Sequence, residues 1–171
     1  QNNLPEAESN FIQALTHMKQ SGDEEGQAYV LGNLGNLCFQ SRRLDKAEEY
    51  YGKALAYMEK VNDVRGIESS LGNLGSVLFY KGNLNEAEET YKKALTFLEE
   101  ASDTEGQSIY NENLGNVYLK KDDLGKAEDY FNRAKTLLDS EKNKDRIKQV
   151  EDKLVALQKH PKYVEGKEKK L

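Results

Sequence analysis

Only one cysteine, Cys38, occurs among the 171 residues, so no internal disulfide can form and the chain reads as intracellular rather than disulfide-stapled. Two histidines and that cysteine supply too few ligands for a tetrahedral zinc site, and no metal is expected. No apolar run approaches the roughly 20 residues that span a bilayer. No signal-like hydrophobic segment opens the chain either, so a cytoplasmic protein without membrane contact is expected. Because the first residue is Gln1, a native N-terminus is expected to lie upstream. Tryptophan is missing, and there are only two prolines. Acidic residues outnumber basic ones by 30 to 25, which argues against a broad nucleic-acid footprint. These absences leave a soluble, charged, helix-rich protein.

The charge is unevenly spread. Residues 1–140 hold 15 basic and 24 acidic side chains, whereas residues 141–171 hold 10 and 6. A basic tail on an acidic body can dock a partner or another copy, or be a solvated terminal helix with a frayed end.

A period of 40 residues organises the rest. Leu34-Gly35 returns as Leu74-Gly75 and Leu114-Gly115. In the same phase stand Asp23, Asp63 and Asp103, then Gly26, Gly66 and Gly106, then Asn33, Asn73 and Asn113. Ala47, Ala87 and Ala127 match, as do Tyr51, Tyr91 and Phe131, and Ala54, Ala94 and Ala134. Within one unit, Leu44, Ala47, Tyr51, Ala54, Leu55 and Met58 follow the spacing of one helix face, and so do Val30, Leu31, Leu34, Leu37 and Cys38. Short polar breaks such as Ser41-Arg42-Arg43 have room only for a tight turn between antiparallel helices. The three aspartates fall where the first helix of each unit should start and read as N-caps. A mid-helix glycine costs about 1 kcal/mol against alanine. Gly35, Gly75 and Gly115 are therefore expected to allow close approach of a second helix, with Ala47, Ala87 or Ala127 facing the glycine. The aromatic at Tyr51, Tyr91 or Phe131 is expected to wedge between units, so that the core is buried between neighbours.

Leu34, Gly35, Ala47, Tyr51 and Ala54, with two further copies, resemble the tetratricopeptide repeat. The usual unit of that family is 34 residues; here six extra residues lengthen the helices, and Glu59 and Glu99 replace the terminal proline. The 40-residue unit with Asn-Leu-Gly-Asn and Asp-x-x-Gly is similar to the repeats of Pins-type spindle adaptors and, more loosely, of kinesin light chain. The resemblance implies an all-α fold, an α-α superhelix of antiparallel helix pairs. Its expected parts are a half repeat over 1–22, three repeats over 23–62, 63–102 and 103–140, a capping helix over 141–160, and a disordered polar tail over 161–171. In the register of the repeat, Leu154 takes the place of Leu114 on an apolar stripe with Ile147, Val150 and Leu157.

No catalytic constellation emerges, no cofactor motif is present, and the chain reads as a protein other than an enzyme. His17 and His160 are expected as surface residues, and Cys38 as a core filler. Pairs such as Glu48-Glu49 and Glu88-Glu89 beside Lys53 and Lys93 suit a solvated outer face. The resemblance instead implies a concave groove lined by the first helix of each unit. It would be formed by Asn33, Asn73 and Asn113, with Asn36, Ser76 and Asn116 one turn on. Further positions are Tyr29, Ser69 and Ile109, then Gln40, Tyr80 and Lys120. Asparagine is a poor helix former. Three copies in phase suit a ladder of amides that pairs with the backbone of an extended peptide. Equally, they suit an ancestral duplication or bonds between adjacent helices. The cation positions of the family's carboxylate clamp hold Gly32, Gly72 and Glu112, which argues against such a clamp. With Phe39, Phe79 and Leu119 nearby, a segment with apolar anchors is expected. The expected function is a protein–protein interaction scaffold that binds a partner peptide or helix. Two rivals stand beside it: self-association to a homodimer through the unpaired N-terminal helix, with Phe11 and Leu15 exposed, and a regulatory sensor domain of a longer protein.

Overall fold

A computed structural model describes residues 4–138 and 141–168, and there the chain is helix joined by tight turns. In order, the helices are α1 (Leu4–Ser21), α2 (Glu24–Gln40), α3 (Leu44–Val61), α4 (Val64–Lys81) and α5 (Leu84–Glu100), followed by α6 (Thr104–Lys120), α7 (Leu124–Thr136), α8 (Lys144–Gln158) and α9 (Pro161–Glu168). Consecutive helices pack as antiparallel pairs. None of the described helices is long and apolar enough to cross a membrane.

The turns explain the regularity. One residue takes a left-handed conformation at Gly22, Arg42, Asn62, Gly82, Ser102 and Asp122, every twenty residues. At each, the next amide closes back on the preceding helix: Asp23 on Met18, Arg43 on Cys38, Asp63 on Met58, Asn83 on Leu78, Asp103 on Leu98 and Asp123 on Tyr118, over 2.8–3.0 Å. This is the glycine-type helix stop, used here four times without glycine. The next helix starts at once. Asp23, Asp63 and Asp103 accept from the amides of Gly26, Gly66 and Gly106 at 2.8, 3.1 and 2.9 Å, capping α2, α4 and α6. The glycines three positions on are needed for space. A Cβ on Gly106 would lie 2.8 Å from both the Asp103 carboxylate and the Leu98 side chain, and Met18 and Met58 crowd Gly26 and Gly66 in the same way.

Two compact units divide the chain between Thr90 and Tyr91. In the first, Cys38, Ala47, Tyr51 and Val77 form a buried cluster flanked by Phe39, Leu44, Tyr50 and Leu74. Leu34 and Ala54 are likewise closed to solvent. Burial pushes the Cys38 thiol up, consistent with a core filler. In the second, Tyr118, Ala127, Phe131, Val150, Leu154 and Leu157 form the corresponding cluster, so α8 closes the core of α6 and α7 with the stripe read from the sequence.

Two expectations are corrected. The alanines are fully buried, but the aromatic ring is what comes closest to the glycine. A Cβ on Gly35 would lie 2.5 Å from a Tyr51 ring carbon, and one on Gly115 would lie 2.6 Å from Phe131. The glycine therefore admits the flat ring of its own repeat. Residues 161–168 are not a disordered tail but α9. Pro161 suits a first helical turn, where its missing N–H leaves nothing unpaired. Tyr163 packs on the second core cluster and donates its hydroxyl to Glu128 Oε1 at 2.6 Å. Residues 169–171 of that expected tail, and 139–140 of the third repeat, lie outside the described residues.

Candidate functional site

In the first unit, α2 and α4 run side by side and enclose a hollow of about 240 Å³. Tyr29, Gly32, Asn33 and Asn36 line it from α2, and Arg65, Ser69 and Asn73 from α4, with Tyr51 and Met58 of α3 beneath. Open space adjoins Gly32, where an added Cβ would meet nothing within 4 Å. Tyr29 is 52% exposed and donates to Asp63 Oδ2 at 3.2 Å; the Asp63 carboxylate holds its phenol above the ordinary value. Farther along the two helices, the rings of Phe39 and Tyr80 meet edge to face at 5.4 Å, and the Arg42 guanidinium stands 5.4 Å over Tyr80.

The two rows of polar residues differ. Those one turn on are engaged inside the protein. Asn36 Oδ1 accepts from the Tyr51 hydroxyl at 2.6 Å, Ser76 donates to the Gly72 carbonyl at 2.9 Å, and Asn116 Oδ1 accepts from Lys153 at 3.3 Å. By contrast, the amides of Asn33, Asn73 and Asn113 form no hydrogen bond among the described residues. Bonds between helices therefore account for Asn36 and Asn116, and a bond within α4 for Ser76, whereas neither accounts for the row at 33, 73 and 113.

The second unit treats the same register in another way. Glu112 stands where the first two repeats have Gly32 and Gly72, and Lys153 of α8 stands where they have asparagine. Lys153 binds Glu112 at 2.5 Å and lies 5.6 Å over the Phe131 ring, while Arg146 reaches Glu112 at 3.4 Å. The space between α6 and α8 is thus bridged by charge. Asn113 is half-buried and Lys120 exposed in this unit.

Larger hollows occur elsewhere in each unit. One of about 590 Å³ in the first unit holds Lys81, paired with Asp45 and Glu48 at 2.6 Å each, and Lys53, paired with Glu49 at 2.5 Å. Another, about 660 Å³ in the second unit, holds Asn111, whose Nδ2 donates to the Gln107 carbonyl at 2.8 Å. Sequence reasoning missed Arg65 in the α2–α4 hollow. Its phase partners are Glu105 and Asp145, so the available signal was a charge reversal at one repeat position. His160, expected on the surface, is half-buried with its Nδ1 enclosed and unpaired.

Capped helix pairs at a fixed period, with a ring seated on Gly35 in one unit and on Gly115 in the other, define an α-helical repeat protein of the solenoid class. The sequence profile of the tetratricopeptide repeat matches residues 1–60 and 66–140, and the chain belongs to that family, whose repeats mediate protein–protein interactions. Among solved structures, BtubC (BKLC) from P. vanneervenii shares 27% identity at a TM-score of 0.72, over 78% of this chain and 56% of its own. The apo form of RapI shares 16% at 0.81, over 91% and 43%. A putative kinesin light chain of Podosopora anserina with nearly identical TPR-like repeats shares 13% at 0.71, over 91% and 86%. The chain thus spans about half the length of the first two, and the last two carry the fold alone. No curated protein sequence matches.

Proposed function

We propose that the chain is a non-catalytic interaction module that captures an extended peptide segment of a partner protein along α2 and α4. The observation that carries this reading is the pair of unbonded amides, Asn33 and Asn73, lining a hollow with open space at Gly32. An asparagine amide offers one acceptor and two donors, the complement of a peptide backbone, so capture would depend little on the ligand's side chains at these points. A Rap protein of like fold, 19% identical at a TM-score of 0.69, was solved in complex with competence and sporulation factor. That precedent agrees with ligand binding by such an array.

The test is selection of displayed random twelve-residue peptides on the whole chain and on an Asn33→Ala, Asn73→Ala variant. Enrichment on the wild type that the variant loses, with far-UV circular dichroism unchanged, supports the reading. Equal enrichment on both, or none, contradicts it. A second reading is self-association through α1. It rests on Ile12, 47% exposed on a helix with no fully buried residue. Phe11 and Leu15 are themselves half-buried. A mass that rises with concentration and falls back in Ile12→Glu would support that alternative.

A further inference from the structure

Resting on the α2–α4 reading, we infer that the captured peptide is acidic, with two carboxylates six or seven residues apart and an apolar side chain near one of them. The argument starts from charge. Residues 1–90 carry eight basic and fourteen acidic side chains. Where carboxylates are in such excess, a cation without one points to a place the fold leaves for an incoming anion. Of the three arginines in this unit, Arg43 is paired with Glu8 at 2.8 Å. Arg65 and Arg42 have no carboxylate partner among the described residues. Solvated lysines such as Lys19 and Lys46 need none, being compact and strongly hydrated. A guanidinium is a planar fork suited to a carboxylate, and these two stand at opposite ends of one seam.

Arg65 lies in the first turn of α4 at the amide-lined hollow, and Arg42 stands over Tyr80 at the end of the same helix. From position 65 to position 80 a helix rises about 22 Å. An extended chain covers that distance in six or seven residues at roughly 3.3 Å each. Asn33 and Asn73 lie along the way and hold backbone, while the exposed edge of Tyr80 against Phe39 offers an apolar seat beside Arg42. Nucleic acid would also bring anions, but the net negative charge of the unit repels a polyanion. A short peptide carries its two charges only where the arginines are.

The peptides enriched on the wild-type chain decide the matter. They should share two Asp or Glu positions at that spacing. Arg65→Ala should weaken a synthetic copy of the leading peptide at least tenfold, with helicity unchanged, and Arg65→Lys should recover part of the loss. Arg42→Asn keeps a residue tolerant of the left-handed turn and should remove the preference for one acid while leaving the other. Enriched peptides that need Asn33 and Asn73 but are neutral or basic would overturn the acidic assignment and leave the groove reading standing. If nothing is enriched, both fail. A dimer whose association is abolished by Arg65→Glu would overturn the assignment in favour of a second copy in the seam.

Discussion

The two units apply one repeat to opposite ends. Between α2 and α4 the register positions are Gly32, Asn33 and Asn73, which leave a hollow with amides that bond to nothing. Between α6 and α8 they are Glu112, Asn113 and Lys153, and Lys153 spans the gap to Glu112 and Asn116. The cores beneath are closely alike: Tyr51 on Gly35 in one, Phe131 on Gly115 in the other. On the reading proposed above, a repeat keeps its packing while a few surface positions decide between receiving a ligand and bridging to a neighbouring helix.

The largest expected effect tests the shared part. Gly35→Ala and Gly115→Ala should each destabilise by about 1–3 kcal/mol, because a methyl would be driven into a buried ring. Gly32→Ala, with open space around it, should instead stabilise by up to about 1 kcal/mol through helix propensity. Urea unfolding of the three variants checks this; equal costs at all three positions would mean the rings are not what the glycines accommodate. A smaller effect separates the rings. Tyr51→Phe should cost about 0.5–1.5 kcal/mol by removing the hydroxyl bond to Asn36. Phe131→Tyr should gain less, since Lys153 already bonds Asn116. The smallest effect concerns the ion pair that the first unit places away from its seam. Arg43 holds the Glu8 carboxyl below its ordinary value, chiefly by hydrogen bonding. That contribution is fully present above the unfolded-state value of about 4.3 and is lost as pH falls through the lowered folded value. The small stability difference between wild type and Arg43→Ala at neutral pH should shrink on acidification, read by urea unfolding at pH 7 and pH 3.

The fold was legible because it is periodic. Asp23, Gly26, Leu34, Gly35 and Tyr51 each recur in phase, and most recurrences turned out to be a cap, a close approach or a buried side chain, Leu74 being only half-buried. The glycine's partner was not legible, since spacing along a helix does not say whether Ala47 or Tyr51 leans toward Gly35. Nor was the split between the two polar rows, which depends on the reach of Tyr51 and Lys153 from neighbouring helices. Arg65 and Lys153 broke the period, and a reading that searched for recurrence passed over them. Helix α9 was hidden in the same way: a tail rich in Lys, Glu and Gly looked solvated, and Tyr163 ties it to the core.

The central claim is that the open register of α2 and α4 is what receives the ligand. Its most direct test moves the second unit's bridge into the first, as Gly32→Glu with Asn73→Lys, and measures by calorimetry the binding of the leading displayed peptide. The account predicts a chain as stable as the wild type to within about 1 kcal/mol that binds the peptide at least tenfold more weakly. Undiminished affinity in a folded variant would contradict it and place the binding surface elsewhere on the molecule.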